Sequence, residues 1–320
     1  MQLSLNILPL LSLALVLLAF APSTEAHQRG LAWGTNDSWG SKLTGGLYTW
    51  YWHWQDGPNR VFDGKLEFVP CFWGKKYASL WQARKSEMAQ KLPKAILAFN
   101  EPDIASQSNL QPAEAARLFQ QELQPYRRKG VRVSSPQIVW NVDWLSSFMK
   151  ECNKIGCDAD FIALHWYGGY NELQKLKDYV TRVYRTFNKP IWITEYGVTS
   201  AGGGSQAQVK QFHVDATNWL NSQHYVERAS SFGAFAVSNP PDAFGSSKNA
   251  LFNSNGSLRD LAYWYVHGAS KRDVVDDAVV DEAVDGAIEE DKGSASADGD
   301  RILQASVPKA RFAKRRLDQA

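Results

Sequence analysis

The sequence predicts an α/β protein, a (β/α)8 barrel of TIM type, and three observations carry that expectation. Eight short apolar runs of strand length alternate with helical patterns between residues 30 and 237, about the span of one such barrel. Two glutamates stand directly after two of the runs, Glu101 and Glu195, and barrel active sites gather at the C-terminal ends of the strands. No glycine-rich phosphate loop opens the first helix, which speaks against a dinucleotide-binding sheet with the same alternation. The apolar fraction of 44% and charged fraction of 21% in 320 residues are those of an ordinary globular chain. A net charge of +2 supplies no basic field for nucleic acid.

In chain order, residues 1–26 read as a signal peptide. Residues 7–20 form an uncharged apolar run of 14 residues, shorter than the ~20 of a membrane span. Pro22 ends it, and Thr24-Glu25-Ala26 offers a small-residue cleavage site. The mature chain is therefore expected to be secreted, extracellular or in a cell wall, without a membrane span. It is expected to act as a monomer.

The strands are expected at 30–33, 47–53, 68–72, 95–99, 131–134, 161–165, 191–194 and 231–237. A helix over 112–126 opens on Pro112 and carries Ala115, Leu118, Phe119 and Leu123 on one face. Ser205 and Gln208 form a capping box ahead of a helix over 209–220. Together these make one catalytic domain over 27–268. Beyond it, residues 273–300 hold 11 acidic residues against Lys292, and 301–320 hold six basic residues against Asp318. With Phe312 as its one aromatic, the 269–320 segment cannot build a core and reads as a disordered, charged tail.

Cys152 and Cys157 are five residues apart and could close a small loop, while Cys71 lies in an apolar run and reads as a buried free thiol. Three cysteines without clustered histidines give no zinc site. Asn36 and Asn255 begin Asn-Xaa-Ser sequons and are glycosylation candidates in a secreted chain.

A carboxylate pair facing one bowl is what glycoside hydrolysis requires: one acid with a raised pKa to protonate the leaving oxygen, one carboxylate to attack or to activate water. A lone Glu at a strand end more often caps the following helix. Two at matched strand ends in an aromatic-rich barrel make that bland reading much weaker. His165-Trp166-Tyr167 closes the sixth run, and alternation puts His165 and Tyr167 on one side with Trp166 on the other. A core could use some of the 13 tryptophans, all between Trp33 and Trp264, but so many also suggest surfaces that stack on flat ligand faces, sugars included. His165, Tyr167 and the rings of Trp33, Trp50, Trp54 and Trp73, at the ends of the first three strands, are the candidates for substrate binding; some of these rings must pack in the barrel wall, and one or two are expected to line the cleft.

These residues, in their order, resemble glycoside hydrolase family 128, the catalytic domain of the fungal alkali-sensitive linkage proteins. The matching stretches are Arg29-Gly30-Leu31-Ala32, Phe68-Val69-Pro70, Phe99-Asn100-Glu101-Pro102-Asp103, Ser135-Pro136, Asp160 through Tyr167, Pro190 through Tyr196, and Gly256-Ser257-Leu258. The resemblance implies a retaining β-1,3-glucanase needing no metal or cofactor. Glu101 would be the acid/base, Glu195 the nucleophile, and Asn100 a partner of the sugar 2-hydroxyl. It also implies a Cys152–Cys157 disulfide. Two departures stand out. The eighth strand reads Phe232-Gly233-Ala234-Phe235-Ala236 where the family usually carries a Trp, and His53 replaces an expected Asn. A missing sugar platform keeps a non-catalytic glucan-binding barrel open as an alternative. A hydrolase or transglycosylase acting on another β-linked glycan is the other.

Overall fold

The computed structural model describes residues 28–55 and 57–268. The expected leader and the charged tail lie outside the described residues. Among the described residues there are eight strands: β1 (Gln28–Trp33), β2 (Tyr48–Trp52), β3 (Glu67–Phe68), β4 (Ala95–Ile96), β5 (Arg132–Val133), β6 (Ile162–Gly168), β7 (Ile191–Val198) and β8 (Val226–Ala234). Helices α1 (Ala78–Gln90), α2 (Pro112–Glu122), α3 (Gln124–Arg127), α4 (Val142–Lys154), α5 (Leu173–Phe187), α6 (Gln206–Asn221) and α7 (Asp260–His267) connect and cover them. The result is an α/β fold in which all pairs of named strands run parallel. Six strands pair in the order β3-β2-β1-β8-β7-β6, and β4 pairs with β5. Single parallel bridges, Cys71↔Leu97 and Ser134↔Phe161, join the two sheets at both edges.

Strand alternation sorts the apolar side chains into two layers. One face carries a cluster built from strand residues, with Trp50, Trp52, Leu97, Phe161 and Trp192 at its centre. The other face belongs to the cluster shared with the helices, in which Leu31, Ile193 and Tyr196 are grouped with Val209, Phe212 and Leu220 of α6. Many of the tryptophans are thus core residues. Gly30 is part of this packing: a Cβ there would lie 2.2 Å from the Trp50 ring. At the N-terminal end of the strands Arg228 pairs with Glu67 at 2.8 Å and lies 4.2 Å over Trp192, closing that side.

The structure departs from the sequence reading in several places, β6 and β7 running on to Gly168 and Val198 and β8 ending at Ala234. β8 begins at Val226, five residues before the expected start. Glu227 and Arg228 look like loop residues in sequence, but Glu227 accepts the Trp192 indole N–H at 2.8 Å and Arg228 is stacked as described. β3, β4 and β5 have two residues each, and their pairing continues as isolated bridges. The helix expected over 112–126 breaks at Leu123, because Pro125 has no N–H to donate into the preceding turn. The Ser205–Gln208 capping box is formed as expected. Among the described residues no helix is long and apolar enough to cross a membrane.

Candidate active site

Glu195 reaches the site through a fault in the strand register. β6 and β7 pair Leu164 with Ile193 and then His165 with Glu195, so β7 carries one extra residue at Thr194. β8 records the same slip, with Ile193 opposite Ala229 and Tyr196 opposite Ser231. Strict alternation from Trp192, which faces the strand cluster, would turn Glu195 toward the helices. The extra residue inverts the pattern. Glu195 then joins Trp192's side, and Tyr196 turns out to donate or accept with Thr217 of α6 at 2.7 Å. Two backbone anchors hold the slip: Trp52 Nε1–H donates to the Thr194 carbonyl at 3.1 Å, and the Ser230 hydroxyl donates to the same oxygen.

Glu101 lies beyond β4 and has φ of 43°. A non-glycine residue in this left-handed region costs on the order of 1 kcal/mol and persists where surroundings over-determine it. Here its N–H donates to the Gln137 carbonyl at 2.9 Å, and its carbonyl accepts from Ile104 at 3.1 Å. Trp54, on the other side of the site, has φ of 42°. Two of the strained positions therefore flank the same place.

His165 stands between the carboxylates, fully buried. Its Nδ1 is 2.7 Å from Glu101 Oε1, and its Nε2 is 3.5 Å from Glu195 Oε1 and 3.4 Å from Gln137 Oε1. Gln137 is oriented by its amide N–H donating to the Ala98 carbonyl at 2.8 Å, which leaves an acceptor facing His165. Both neighbours of Nε2 are acceptors, so that nitrogen carries the proton. Burial holds the His165 pKa below its usual value, keeping the ring neutral. Its Nδ1 is then a lone pair, and the contact with Glu101 requires the proton to sit on Glu101. Burial, with added repulsion from Asp103 and Asp242, lifts the Glu101 pKa to about 8. Glu195 is lifted by burial to about 7, opposed by His165 and by donors it accepts from. Those donors are Trp54 Nε1–H at 3.1 Å and the Tyr167 hydroxyl. The site thus holds one carboxyl that keeps its proton and one supplied with donors that favour the anion.

The expected strand alternation holds: His165 and Tyr167 face the carboxylates, while Trp166 stacks on Phe212 of α6 with centroids 5.3 Å apart. Asn100 is buried beside Glu101 with its Oδ1 unpartnered. The aromatic candidates divide. Trp54 is half-buried and touches Glu195. Trp73 is buried edge-on to Tyr77, its carbonyl accepting the Asn100 N–H at 2.9 Å. Trp33 and Trp50 do not line a cleft: both are 0% exposed. Trp33 packs on Phe62 and Phe252, and Trp50 turns its N–H to the Gln28 carbonyl at the opposite strand end. Several contributors escape the sequence reading. Gln137 lies in no motif and Asp242 lies in a loop after β8, whereas the rings of Phe232 and Phe235, noted in sequence only for the Trp they lack, pack beside Trp54 and Tyr167.

Glu101, His165 and Glu195 each offer an atom within 4.8 Å of the others. Two ligands of one zinc ion would sit about 3.3 Å apart, so the 2.7 Å His165–Glu101 contact is a hydrogen bond rather than an edge of a coordination shell. Cys152 and Cys157 are disulfide-bonded at the end of α4, and Cys71 is a buried free thiol. Asn36 and Asn255 are exposed, each accepting from the Ser two positions on.

Residues 30–265 match the family model described as a glycosyl hydrolase catalytic core. Alkali-sensitive linkage protein 1 of Schizosaccharomyces pombe is 30% identical over 257 residues, covering 76% of this chain. The chain spans 45% of that relative's length. Among solved structures, a curdlan-specific exo-β-1,3-glucanase from Blastomyces gilchristii in complex with glucose is 28% identical with a TM-score of 0.62, over 75% of this chain and 97% of that one. An endo-β-1,3-glucanase variant from Amycolatopsis mediterranei in complex with laminaripentaose is 27% identical with a TM-score of 0.62, over 74% and 98%. The chain belongs to the glycosyl hydrolase catalytic core family, and both of these solved neighbours are described as enzymes of glycoside hydrolase family 128.

Proposed function

We propose that this protein is a secreted, retaining endo-β-1,3-glucanase, its eight strands forming one (β/α)8 barrel. The observation that carries the mechanism is the close pair Glu101 and Glu195, with facing atoms within 4.8 Å. Retaining enzymes hold their carboxyl groups about 5–5.5 Å apart, and inverting ones need about 6.5–9.5 Å to admit a water. Glu195 attacks the anomeric carbon, and the C1–O bond to the leaving glucan breaks as Glu101 gives that oxygen its proton. Glu101 then takes a proton from water, whose oxygen displaces Glu195 and releases the sugar. Asn100 Oδ1, buried without a partner, accepts from the sugar 2-hydroxyl. Trp54, braced by Phe232 with centroids 6.3 Å apart, takes the place of the platform missing at Ala234, which weakens the binding-module alternative. β-1,3-Glucan as substrate is supported by the likeness to the glucanases above, and endo action by the laminaripentaose-bound one. The leader, the disulfide and the sequons at Asn36 and Asn255 support secretion and glycosylation.

The test is reducing-end release from linear β-1,3-glucan, against β-1,4-glucan and mannan. Release confined to the first, with short oligomers of mixed size and β-anomers formed first, is expected. Glucose alone as first product would make the enzyme exo-acting, α-anomers would make it inverting, and release from another glycan alone would change the substrate.

The rate should trace a bell against pH. It rises through about 7 as Glu195 ionises and falls above about 8 as Glu101 loses its proton. The two limbs belong to the coupled pair. A kcat/KM profile across pH 4–10 checks this. A flat acid limb would mean that Glu195 does not need to ionise in this range.

A further inference from the structure

Trp140 is 54% exposed, while every other indole among the described residues is buried or half-buried. An indole left in water on a floppy loop would be unremarkable. This one is attached to fixed backbone. Asp103 accepts the Asn141 N–H at 3.2 Å, with further donation from the backbones of Val139 and Trp140. The Ile138 carbonyl takes the His165 N–H at 2.8 Å. Asn141 caps α4 through the Trp144 N–H at 2.9 Å. Asp103 is two residues from Glu101, whose N–H is held by Gln137, so the segment presenting Trp140 is tied at both ends to the acid's loop. The nucleophile's side is walled separately, by Trp54, Tyr167 and Phe232.

We propose that Trp140 is the stacking platform for the glucosyl ring on the leaving-group side, and so a specificity-determining residue of the proposed reaction. The inference rests on the glucanase reading. The acid must touch the glycosidic oxygen, so the departing sugar lies on the side from which Glu101 approaches. A β-glucosyl ring has its hydroxyls around its rim and C–H groups on its flat faces. Those faces suit a rigid indole, apolar in body and costing little entropy to hold in place. Trp140 offers such a face, exposed on backbone that is hydrogen-bonded to the acid's loop.

The test compares Trp140→Ala and Trp140→Phe with the parent on two substrates. Laminarihexaose places a sugar on the leaving side; β-laminaribiosyl fluoride places a single atom there. The Ala variant is expected to lose about tenfold in kcat/KM on the hexaose, one stacked ring's worth, and that loss should exceed its loss on the fluoride severalfold. The Phe variant should recover most of it. Equal losses on both substrates, or no loss on either, would overturn the proposal. A parent inactive on both substrates would sink the hydrolase reading by itself. Titration of laminarihexaose into parent and Ala variant would then decide: weaker binding by the variant supports the platform, and equal or absent binding overturns it.

Discussion

Glu195→Gln is expected to cut hydrolysis of linear β-1,3-glucan by roughly 10⁴-fold or more, the scale seen when a covalent nucleophile is removed. The substitution keeps the shape. Trp54 and Tyr167 donate to different oxygens of the carboxylate, so an amide oxygen can keep the Trp54 bond while its NH2 donates to the Tyr167 hydroxyl. What disappears is the negative charge that must form the bond to C1. Stability should hold or rise, because the site is 4% exposed and burial works against the anion, as its pKa of about 7 records. The pair of measurements is a reducing-sugar assay and a thermal midpoint. A large rate loss with an unchanged midpoint assigns the residue. A similar loss with a collapsed midpoint would reflect folding instead. Full activity in the variant would remove Glu195 from the mechanism, and a parent that binds glucan without cutting it would favour the binding module.

Both carboxylates are legible in the sequence because each ends an apolar run, a place where a charged group has no cheap structural role. Their relation is less legible. The stretch Ile193-Thr194-Glu195-Tyr196 reads as plain alternation, and nothing in it announces the extra residue at Thr194. That residue depends on what Trp52 and Ser230 do to the Thr194 carbonyl from neighbouring strands. The start of β8 is hidden for a related reason. Glu227 and Arg228 count as polar in a one-dimensional pattern, although their long side chains close the strand ends against Trp192. Aromatic residues are the hardest to place. Trp50, Trp52 and Trp54 alternate in sequence, and only the third lies past the end of β2, where the backbone takes a left-handed turn. Trp140 attracts no notice in sequence, having no aromatic neighbours and no motif; its exposure on a fixed segment appears only in three dimensions.

Glu101→Gln is expected to separate the two halves of the reaction. In the folded protein the Glu101 proton faces a lone pair on His165, and a glutamine N–H can occupy that position at the same 2.7 Å, so His165 and its neighbours should stay in place. The variant cannot give a proton to a departing glucan oxygen, and kcat/KM on glucan should fall about 10²–10⁴-fold. A dinitrophenyl β-laminaribioside leaves without protonation, so its first step should survive nearly intact. The second step then lacks its base. Pre-steady-state kinetics should show a burst of dinitrophenolate followed by slow turnover, and a glycosyl-enzyme mass should accumulate on Glu195. The alkaline limb of the pH profile should vanish with the group whose pKa is about 8, leaving the limb set by Glu195. Equal losses on the two substrates would mean that Glu101 supports the fold or binds sugar rather than moving the proton. A retained alkaline limb would assign that titration to another group, and Asp103 and Asp242, both held above the ordinary carboxylate range by burial, would be the next to replace.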